Sequence, residues 1–431
     1  MRDMVMFLAM LLMVPMAIRN GFVAYILWGY TTVLSPVQYL YGFMQGVRYN
    51  FIFAAIALWS IYRGKNNNDV KVTFTKTYYL MVFFLIHVNL STLFAMTPNG
   101  NLMLKYEILI KGFTFILAMP YFVKSRSDIH VLLAMIALGL GLHGVVEGLK
   151  YIVSGGSHTV SGIPGSSLTD NNLFAVGMAM LIPILLYFRS ALANKYAKII
   201  ALCAVILTIF TIIATNSRGG FLAMSVLGFW YFVMSRQKVF ALAIVLSLSV
   251  LVLQVAPQSW FNRISTIETA DEDNSFMNRV AAWQVGSAIA IDNPVFGAGF
   301  SAIENYWIWE KYKSMPSFFS VDMSKYNPKA AHSIYFQIMS DIGFLGFFLF
   351  LSMFIAAYFN KESIKRKIKK YDRKDLTWSR DLSDSIFLSL LAYLVGGAGV
   401  SLTYYELIYI LILLTSVLNT IVDAHIREKT G

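Results

Sequence analysis

The chain has 431 residues, of which 57% are hydrophobic and 13% are charged. Because ordinary soluble domains carry about 25% charged residues, this composition excludes a single water-soluble core and predicts a protein covered largely by lipid. The formal net charge is +12, but the basic residues form short clusters between apolar runs. That distribution predicts membrane lipids, and not nucleic acid, as partners.

Apolar stretches long enough to cross a bilayer, which takes roughly 20 residues, recur along the whole chain. The sequence therefore predicts an all-α, polytopic integral membrane protein with about 12 transmembrane helices in a single membrane domain, 1–431. The predicted spans are 4–18, 21–40, 50–62, 77–96, 107–123, 130–152, 172–188, 197–215, 219–235, 238–256, 333–359, 385–402 and 405–422.

Lysine and arginine cluster on alternate connections between these spans. By the positive-inside rule these connections are cytoplasmic, and the most basic of them is predicted as a cytoplasmic loop over 360–384. The opposite side receives one large loop, 257–332, which is predicted to contain amphipathic helices, one of them over 278–291. We expect a multi-pass protein of the bacterial inner membrane whose large loop and active site face the periplasm.

Arg218 lies between two apolar spans, on the side where the positive-inside rule disfavours arginine. Ser217 is a good cap for the helix that follows, and the glycines at 219 and 220 permit close backbone approach. An anion site at this helix start is one interpretation. A lipid headgroup anchor is the other.

Arg279 lies near the start of the predicted amphipathic helix of the large loop. A guanidinium group makes planar, bidentate contacts to phosphate oxygens and keeps its charge at every relevant pH. Arg279 is therefore a candidate for binding a phosphorylated ligand. The alternative is a charge on the solvated face of the helix.

His332 opens the predicted span 333–359. With an ordinary pKa near 6.5, a histidine side chain is well suited to take a proton from a hydroxyl group at neutral pH. This makes His332 a candidate general base. A helix cap or an interfacial residue is the alternative.

Together, Arg218, Arg279 and His332 supply what transfer from a polyprenyl-diphosphate glycan donor requires. Fixed cations hold the diphosphate and stabilise it as it leaves, and an imidazole takes the proton of the acceptor hydroxyl. Such groups at the boundary of a membrane span are functional candidates because charge at membrane depth is costly. We predict that the three side chains face one site on the periplasmic side.

Four segments resemble a known family: GIPGSSLTDNNLFAVGMAMLIP, SRGGFLA, NRVAAWQVGSAIAIDNPVFGAGF and HSIYFQIMSDIGFLGF. They are similar to the successive motifs of the O-antigen ligase and O-antigen polymerase superfamily, and the resemblance covers essentially the whole membrane domain. The opening MRDMVMFLAMLLMVPMAIRNGFVAYILWGY is most similar to the branch of O-glycosylation ligases associated with exosortase systems.

The resemblance implies a glycosyltransferase that moves a glycan en bloc from undecaprenyl diphosphate to an acceptor hydroxyl at the periplasmic face. It implies inverting chemistry without a metal or another cofactor, and lipid A core or another hydroxyl compound as the acceptor. By this analogy Arg218 and Arg279 bind the diphosphate. His332 is the base, or orients the acceptor.

Other positions are weaker candidates for a donor or acceptor site. The family often has Asn after its His and Glu later in the helix, where this chain has Ser333 and Asp341; the departure bears on the acceptor more than on the reaction. We include Gln337 and Asp341 as a possible part of the site. Asp170, Asn171 and Asn172 precede a predicted span and either cap it or line the donor entrance.

Three alternatives stay open at this level. A polymerase of the same superfamily uses the same donor chemistry and differs only in its acceptor. A transporter of lipid-linked oligosaccharide would more commonly place polar groups in broken helices of both halves, whereas these candidates cluster on one side. A metal-dependent glycosyltransferase is disfavoured because no well-spaced set of Asp, Glu and His ligands is visible.

Overall fold

The computed structural model describes residues 2–34, 40–64, 72–96, 100–235, 238 and 274–430. All regular secondary structure in these ranges is helical, as the sequence predicts. The α-helices are α1 (Arg2–Arg19), α2 (Gly21–Leu34), α3 (Tyr49–Tyr62), α4 (Lys76–Leu93), α5 (Gly100–Phe122), α6 (Arg126–Val153), α7 (Asn171–Ala191), α8 (Lys195–Ala214), α9 (Arg218–Met234), α10 (Asn274–Asp292), α11 (Tyr306–Tyr312), α12 (Ile334–Lys370), α13 (Thr377–Gly396) and α14 (Glu406–Thr430).

Six helical segments of the described ranges are long and apolar enough to cross a bilayer. They lie in α6, α7, α8, α12, α14 and in Lys374–Gly399, which contains α13; α3 and α9 are apolar but shorter. The chain is therefore a multi-pass membrane protein, whereas the total of about 12 spans stays a prediction. Of the predicted span 238–256 the structure describes only Lys238, and the first part of the large loop, 257–273, lies outside the described residues.

The bundle is built around α7 and α14. α7 packs against α8, α9 and α13, while α14 packs against α5, α12 and α13. Helices at the periphery present large apolar side chains outward, such as Leu12, Phe51 and Phe229, which are 70%, 71% and 68% exposed. Outward apolar faces of this kind are expected on a protein whose solvent is the bilayer.

Side-chain caps fix the starts of two helices that later border the site. At α7, Asp170 accepts a hydrogen bond from the backbone N–H of Asn172 at 2.8 Å. At α9, Ser217 Oγ accepts one from the N–H of Gly220 at 3.2 Å, which is the cap that the sequence predicts. Such caps satisfy amide groups that have no partner within the helix, and so hold the positive end of each helix in place.

The predicted single span 333–359 is interrupted in the structure. α12 breaks at Ile342 and Gly343, where Gly343 has φ +73° and ψ −179°. The carbonyl groups freed by the break find new donors: Ser340 O accepts from the N–H of Ala298, and Asp341 O from that of Gly299, each at 2.9 Å. A broken helix survives in a membrane protein only where other groups satisfy its backbone in this way.

Hydrogen bonds from α4 also stabilise the backbone around the break in α12. His87 Nε2, from α4, donates to Ile342 O at 2.9 Å, and Ser91 Oγ donates to Phe296 O at 2.6 Å. The loop that follows α10 is therefore locked to α12. This lock fixes the short segment before the break, at whose start the candidate base lies.

The predicted cytoplasmic loop over 360–384 is largely helical instead. α12 continues through the basic residues to Lys370, a short turn follows, and α13 begins at Thr377. Lys, Arg, Glu and Ile are all compatible with a helix, so the end of the apolar run does not end the helix. Its position on the cytoplasmic side stays a prediction.

The described part of the large loop has its own apolar core. Val285 and Ile289 of α10 pack with Ile308, Trp309 and Tyr312 of α11, and all five are buried. α10 covers the amphipathic helix predicted over 278–291. The described part of the loop, 274–332, is therefore a small folded unit that contains α10.

Candidate active site

His332 lies immediately before α12, in a left-handed backbone conformation with φ +45°. Its backbone N–H donates to Ser401 Oγ at 2.9 Å, in the connection between α13 and α14. A non-glycine residue adopts this conformation at a cost that the surrounding structure must offset. The backbone of His332 is therefore held by a contact from a different part of the chain.

Arg279 lies in the second turn of α10 and is half-buried. Its Nη1 donates to Gly399 O at 3.3 Å, in the same connection that holds His332. About one turn further along α10, Trp283 Nε1 donates to Ala331 O at 2.7 Å, and the Trp283 ring stacks on Phe336 at 5.1 Å between centroids. These contacts tie α10 to the residue before His332, so the guanidinium and the imidazole are positioned together.

One cavity of about 220 Å³ joins these groups. It is lined by Asn172, Ser275, Asn278, Arg279, Lys329 and His332. The cavity thus brings together three of the residues singled out in the sequence, namely Asn172, Arg279 and His332. Asn172 lies in α7, Arg279 in α10 and His332 just before α12. The three segments are far apart in the sequence.

Several helices begin at this cavity. Asn172 belongs to the first turn of α7, Ser275 to the first turn of α10, and His332 precedes α12. A helix start carries partial positive charge and unpaired N–H groups, so it favours an anion. The start of α7 is already capped by the Asp170 carboxylate, so the starts of α10 and α12, together with Arg279 and Lys329, make the cavity suited to a negatively charged ligand.

Arg218 occupies the first turn of α9 and is half-buried, outside the described residues that line the cavity. Its neighbour Gly219 approaches the Gly396 carbonyl so closely that an added Cβ would lie 3.2 Å from that oxygen. Because Arg279 bonds to Gly399, the two arginines flank one turn, Gly396–Gly399. The backbone at the start of α9 therefore approaches the turn that Arg279 contacts.

Asn171 and Asn172 have different environments. Asn171 Nδ2 donates to Thr215 O at 2.8 Å and links the start of α7 to the turn before α9. Asn172 lines the cavity, and its Nδ2 donates to Asn171 Oδ1 at 3.1 Å. The cap of α7 is Asp170, so the two asparagines border the site and do not cap the helix.

Gln337 and Asp341 are buried inside α12 and are not among the lining residues. Gln337 Oε1 accepts from Thr403 Oγ1 at 2.8 Å. Asp341 accepts from the Tyr404 hydroxyl at 3.1 Å and from the N–H of Ser301 at 3.2 Å. Both side chains hold the connection that carries Ser401, and their place at a donor or acceptor site stays a prediction.

Lys329 is a lining residue that the sequence analysis did not single out. It is exposed and lies in the connection just before His332. The signal that was available is the one used for Arg218, a cation on the side where the positive-inside rule disfavours it. Its position close before His332 in the sequence also indicates Lys329 as a candidate.

The electrostatic environment prepares His332 to accept a proton. The His332 side chain is exposed at the cavity, but desolvation by the surrounding protein lowers the pKa of His332 from its ordinary value, and the nearby charge of Arg279 lowers it further. The carboxylates of Asp170 and Glu304 oppose this shift. The imidazole is therefore neutral at pH 7 and has a free lone pair.

The cavity is lined by cations, amides and a hydroxyl group. Among the described residues, no three or more His, Cys, Asp or Glu side chains are grouped so that they could hold a metal ion. The groups that are present bind oxyanions through charge and N–H donation. The arrangement provides anion binding beside a neutral imidazole.

These features define a class, namely multi-pass helical membrane proteins with a cation-lined cavity at the starts of several helices. Residues 203–351 match the family model described as O-antigen ligase, a segment that contains Arg218, Arg279 and His332. This match supports the O-antigen ligase superfamily that the motifs predict. Residues 1–193 match a family of unknown function, DUF5935. No curated protein matches the chain.

Proposed function

We propose that this protein transfers a glycan en bloc from undecaprenyl diphosphate to an acceptor hydroxyl, at the periplasmic face and with inversion at the anomeric carbon. One observation carries the proposal: a single cavity is lined by the guanidinium of Arg279, the ammonium of Lys329 and the imidazole of His332. A diphosphate ester and a hydroxyl nucleophile are the ligands that this combination suits.

The cations bind and stabilise the diphosphate. Arg279 Nη1 donates to Gly399 O, which restricts the guanidinium at the cavity, and a guanidinium makes bidentate contacts with phosphate oxygens. Negative charge increases on the diphosphate as its bond to the anomeric carbon breaks. Fixed cations and helix starts stabilise that charge without reorganising. The family resemblance assigns Arg218 to the second phosphate in this scheme, and the start of its helix approaches the turn that Arg279 contacts.

His332 acts as the general base. Its Nδ1 or Nε2 lone pair takes the proton of the acceptor hydroxyl while that oxygen attacks the anomeric carbon from the face opposite the diphosphate. The bond from the anomeric carbon to the phosphate oxygen breaks, and undecaprenyl diphosphate leaves with the electron pair. The proton on His332 then passes to solvent. No metal takes part.

The purified protein, supplied with undecaprenyl-diphosphate glycan and a separate hydroxyl acceptor such as lipid A core, tests the proposal. We expect glycan on the acceptor, free undecaprenyl diphosphate and full activity after thorough chelation. Loss of transfer after chelation contradicts the metal-independent scheme. Failure to cleave the donor in any reaction contradicts the proposed function.

The same reaction without a separate acceptor distinguishes a ligase from a polymerase. Growth of chains on the lipid-linked repeat alone identifies a polymerase, which uses the same donor site. Transfer only when the second acceptor is present identifies a ligase. Assignment to the O-glycosylation ligase branch associated with exosortase systems rests on the N-terminal segment and stays a prediction.

A further inference from the structure

The far end of α12 extends past the length that a bilayer requires. From the break at Gly343 the helix runs to Lys370, which is roughly 40 Å at 1.5 Å per residue, whereas the hydrocarbon core is roughly 30 Å thick. Because cations are costly in hydrocarbon, the basic end is the one that emerges. The last turns of α12 therefore lie at the membrane–water boundary, at the opposite end of the helix from His332.

The basic residues of this end are divided between two faces. Lys361 is buried and contacts Glu362 at 3.0 Å and Asp384 at 3.2 Å. Lys367 contacts Asp423 at 2.6 Å. These two lysines hold α12 to neighbouring helices. The exposed cations are Lys365, Arg366, Lys369 and Lys370, here called the basic face.

The basic face continues the lipid-facing side of the same helix. Phe348, Ile355 and Phe359 are 62%, 55% and 61% exposed. They lie about five, three and two turns before Arg366, so all four residues project from one side of α12. Apolar side chains that meet lipid tails thus lead directly to cations at the depth of the headgroups.

We propose that the basic face is a binding site for the phosphate headgroups of anionic phospholipids. Each Lys or Arg near an anionic membrane surface contributes to attraction, and the guanidinium of Arg366 pairs geometrically with a phosphate. A phospholipid satisfies both parts of the surface, since its acyl chains cover Phe359 and Ile355 while its phosphate meets Arg366. The site is independent of glycan transfer.

Binding of phosphatidylglycerol to the purified full-length protein, titrated in detergent and followed by native mass spectrometry, tests this proposal. The variant Arg366→Gln with Lys370→Gln is expected to bind phosphatidylglycerol roughly tenfold or more weakly, with phosphatidylcholine binding unchanged. The matched control, Lys195→Gln with Lys198→Gln, removes the same charge from exposed positions at the start of α8. We expect it to weaken binding less than the Arg366 and Lys370 variant does.

Equal loss in the two double variants overturns the proposal, because attraction is then a property of the net charge. Unchanged phosphatidylglycerol binding in the Arg366 and Lys370 variant overturns it as well. Displacement of the lipid by millimolar inorganic phosphate identifies a site for soluble anions instead. If that double variant does not fold, as judged by circular dichroism, Lys365→Gln with Lys369→Gln takes its place with the same expectation.

Discussion

The backbone N–H of His332 donates to Ser401 Oγ at 2.9 Å. Ser401 lies in the connection between α13 and α14, and the same connection accepts a hydrogen bond from Arg279 at Gly399 O. The proposed base and the proposed diphosphate-binding group are thus held by one short segment. Changes in that segment should affect catalysis without removing either group.

Replacing Ser401 by Ala tests this arrangement. Loss of one hydrogen bond to a strained backbone costs about 1 kcal/mol, so we expect kcat to fall roughly five- to tenfold with little change in the donor KM. Ser225→Ala is the matched control, because the Ser225 hydroxyl bonds only within α9, to Phe221 O. A raised donor KM with an unchanged kcat would show that Ser401 does not act through His332.

Replacing Arg279 separates charge from geometry. Arg279→Gln removes the cation beside the leaving diphosphate, and we expect transfer to fall roughly 10²-fold or more. Arg279→Lys keeps the charge but loses bidentate contact, so it should recover only part of the activity. Steady-state kinetics with the lipid-linked donor measure both. Full activity of Arg279→Gln contradicts the assigned role.

The pH dependence of glycan transfer should report the protonation of His332. Partial desolvation and the charge of Arg279 lower the pKa of His332 from its ordinary value, so the neutral base is lost only as pH falls below about 6.5. We expect kcat/KM to decline on the acid side with a midpoint below that value. The bound diphosphate adds negative charge and raises the pKa of His332, so the midpoint for kcat should lie at higher pH.

Two variants check the pH assignment. In Arg279→Gln the charge that lowers the pKa of His332 is absent, so the midpoint for kcat/KM should move to higher pH. In Ser225→Ala it should not move. A rate that is flat between about pH 5 and 8 in the unmodified protein contradicts a role for a titrating imidazole.

The break in α12 makes a prediction about stability. A Cβ at Gly343 would lie 2.7 Å from Pro294 O, and the residue has φ +73°. Gly343→Ala should therefore lower the free energy of unfolding by roughly 2–4 kcal/mol. Gly228→Ala, in α9, meets no atom within 4 Å and should stabilise by roughly 0.5–1 kcal/mol. Thermal unfolding in detergent compares the two variants. Equal melting temperatures would contradict the close packing of Gly343 against residues 294 and 295.

The helical architecture follows from hydropathy, because long apolar runs in a membrane protein must form helices to satisfy their backbone. The break at Gly343 does not follow in the same way. Hydropathy is continuous through Ile342 and Phe344, and the donors that compensate the break come from α4 and from residues 294–299. Only the tertiary structure brings those segments together.

The residues of the site also differ in how far the sequence alone predicts their positions. Arg279 and His332 are predictable as neighbours because each is a costly group at a membrane boundary on the same side. Gln337 and Asp341 share the motif with His332 but point into the bundle, which one helical sequence cannot reveal without knowing its packed face. Lys329 is visible as a cation on the disfavoured side. Its place at the cavity depends on the fold of the large loop.

Separate measurement of donor binding and glycan transfer in His332→Ala tests the central claim most directly. Undecaprenyl-diphosphate glycan should bind within a few-fold of the unmodified affinity, because the cations remain. Transfer in a single turnover should fall roughly 10²–10⁴-fold. Lys325→Gln, an exposed position in the same loop, should change neither quantity. Full transfer by His332→Ala would contradict the account.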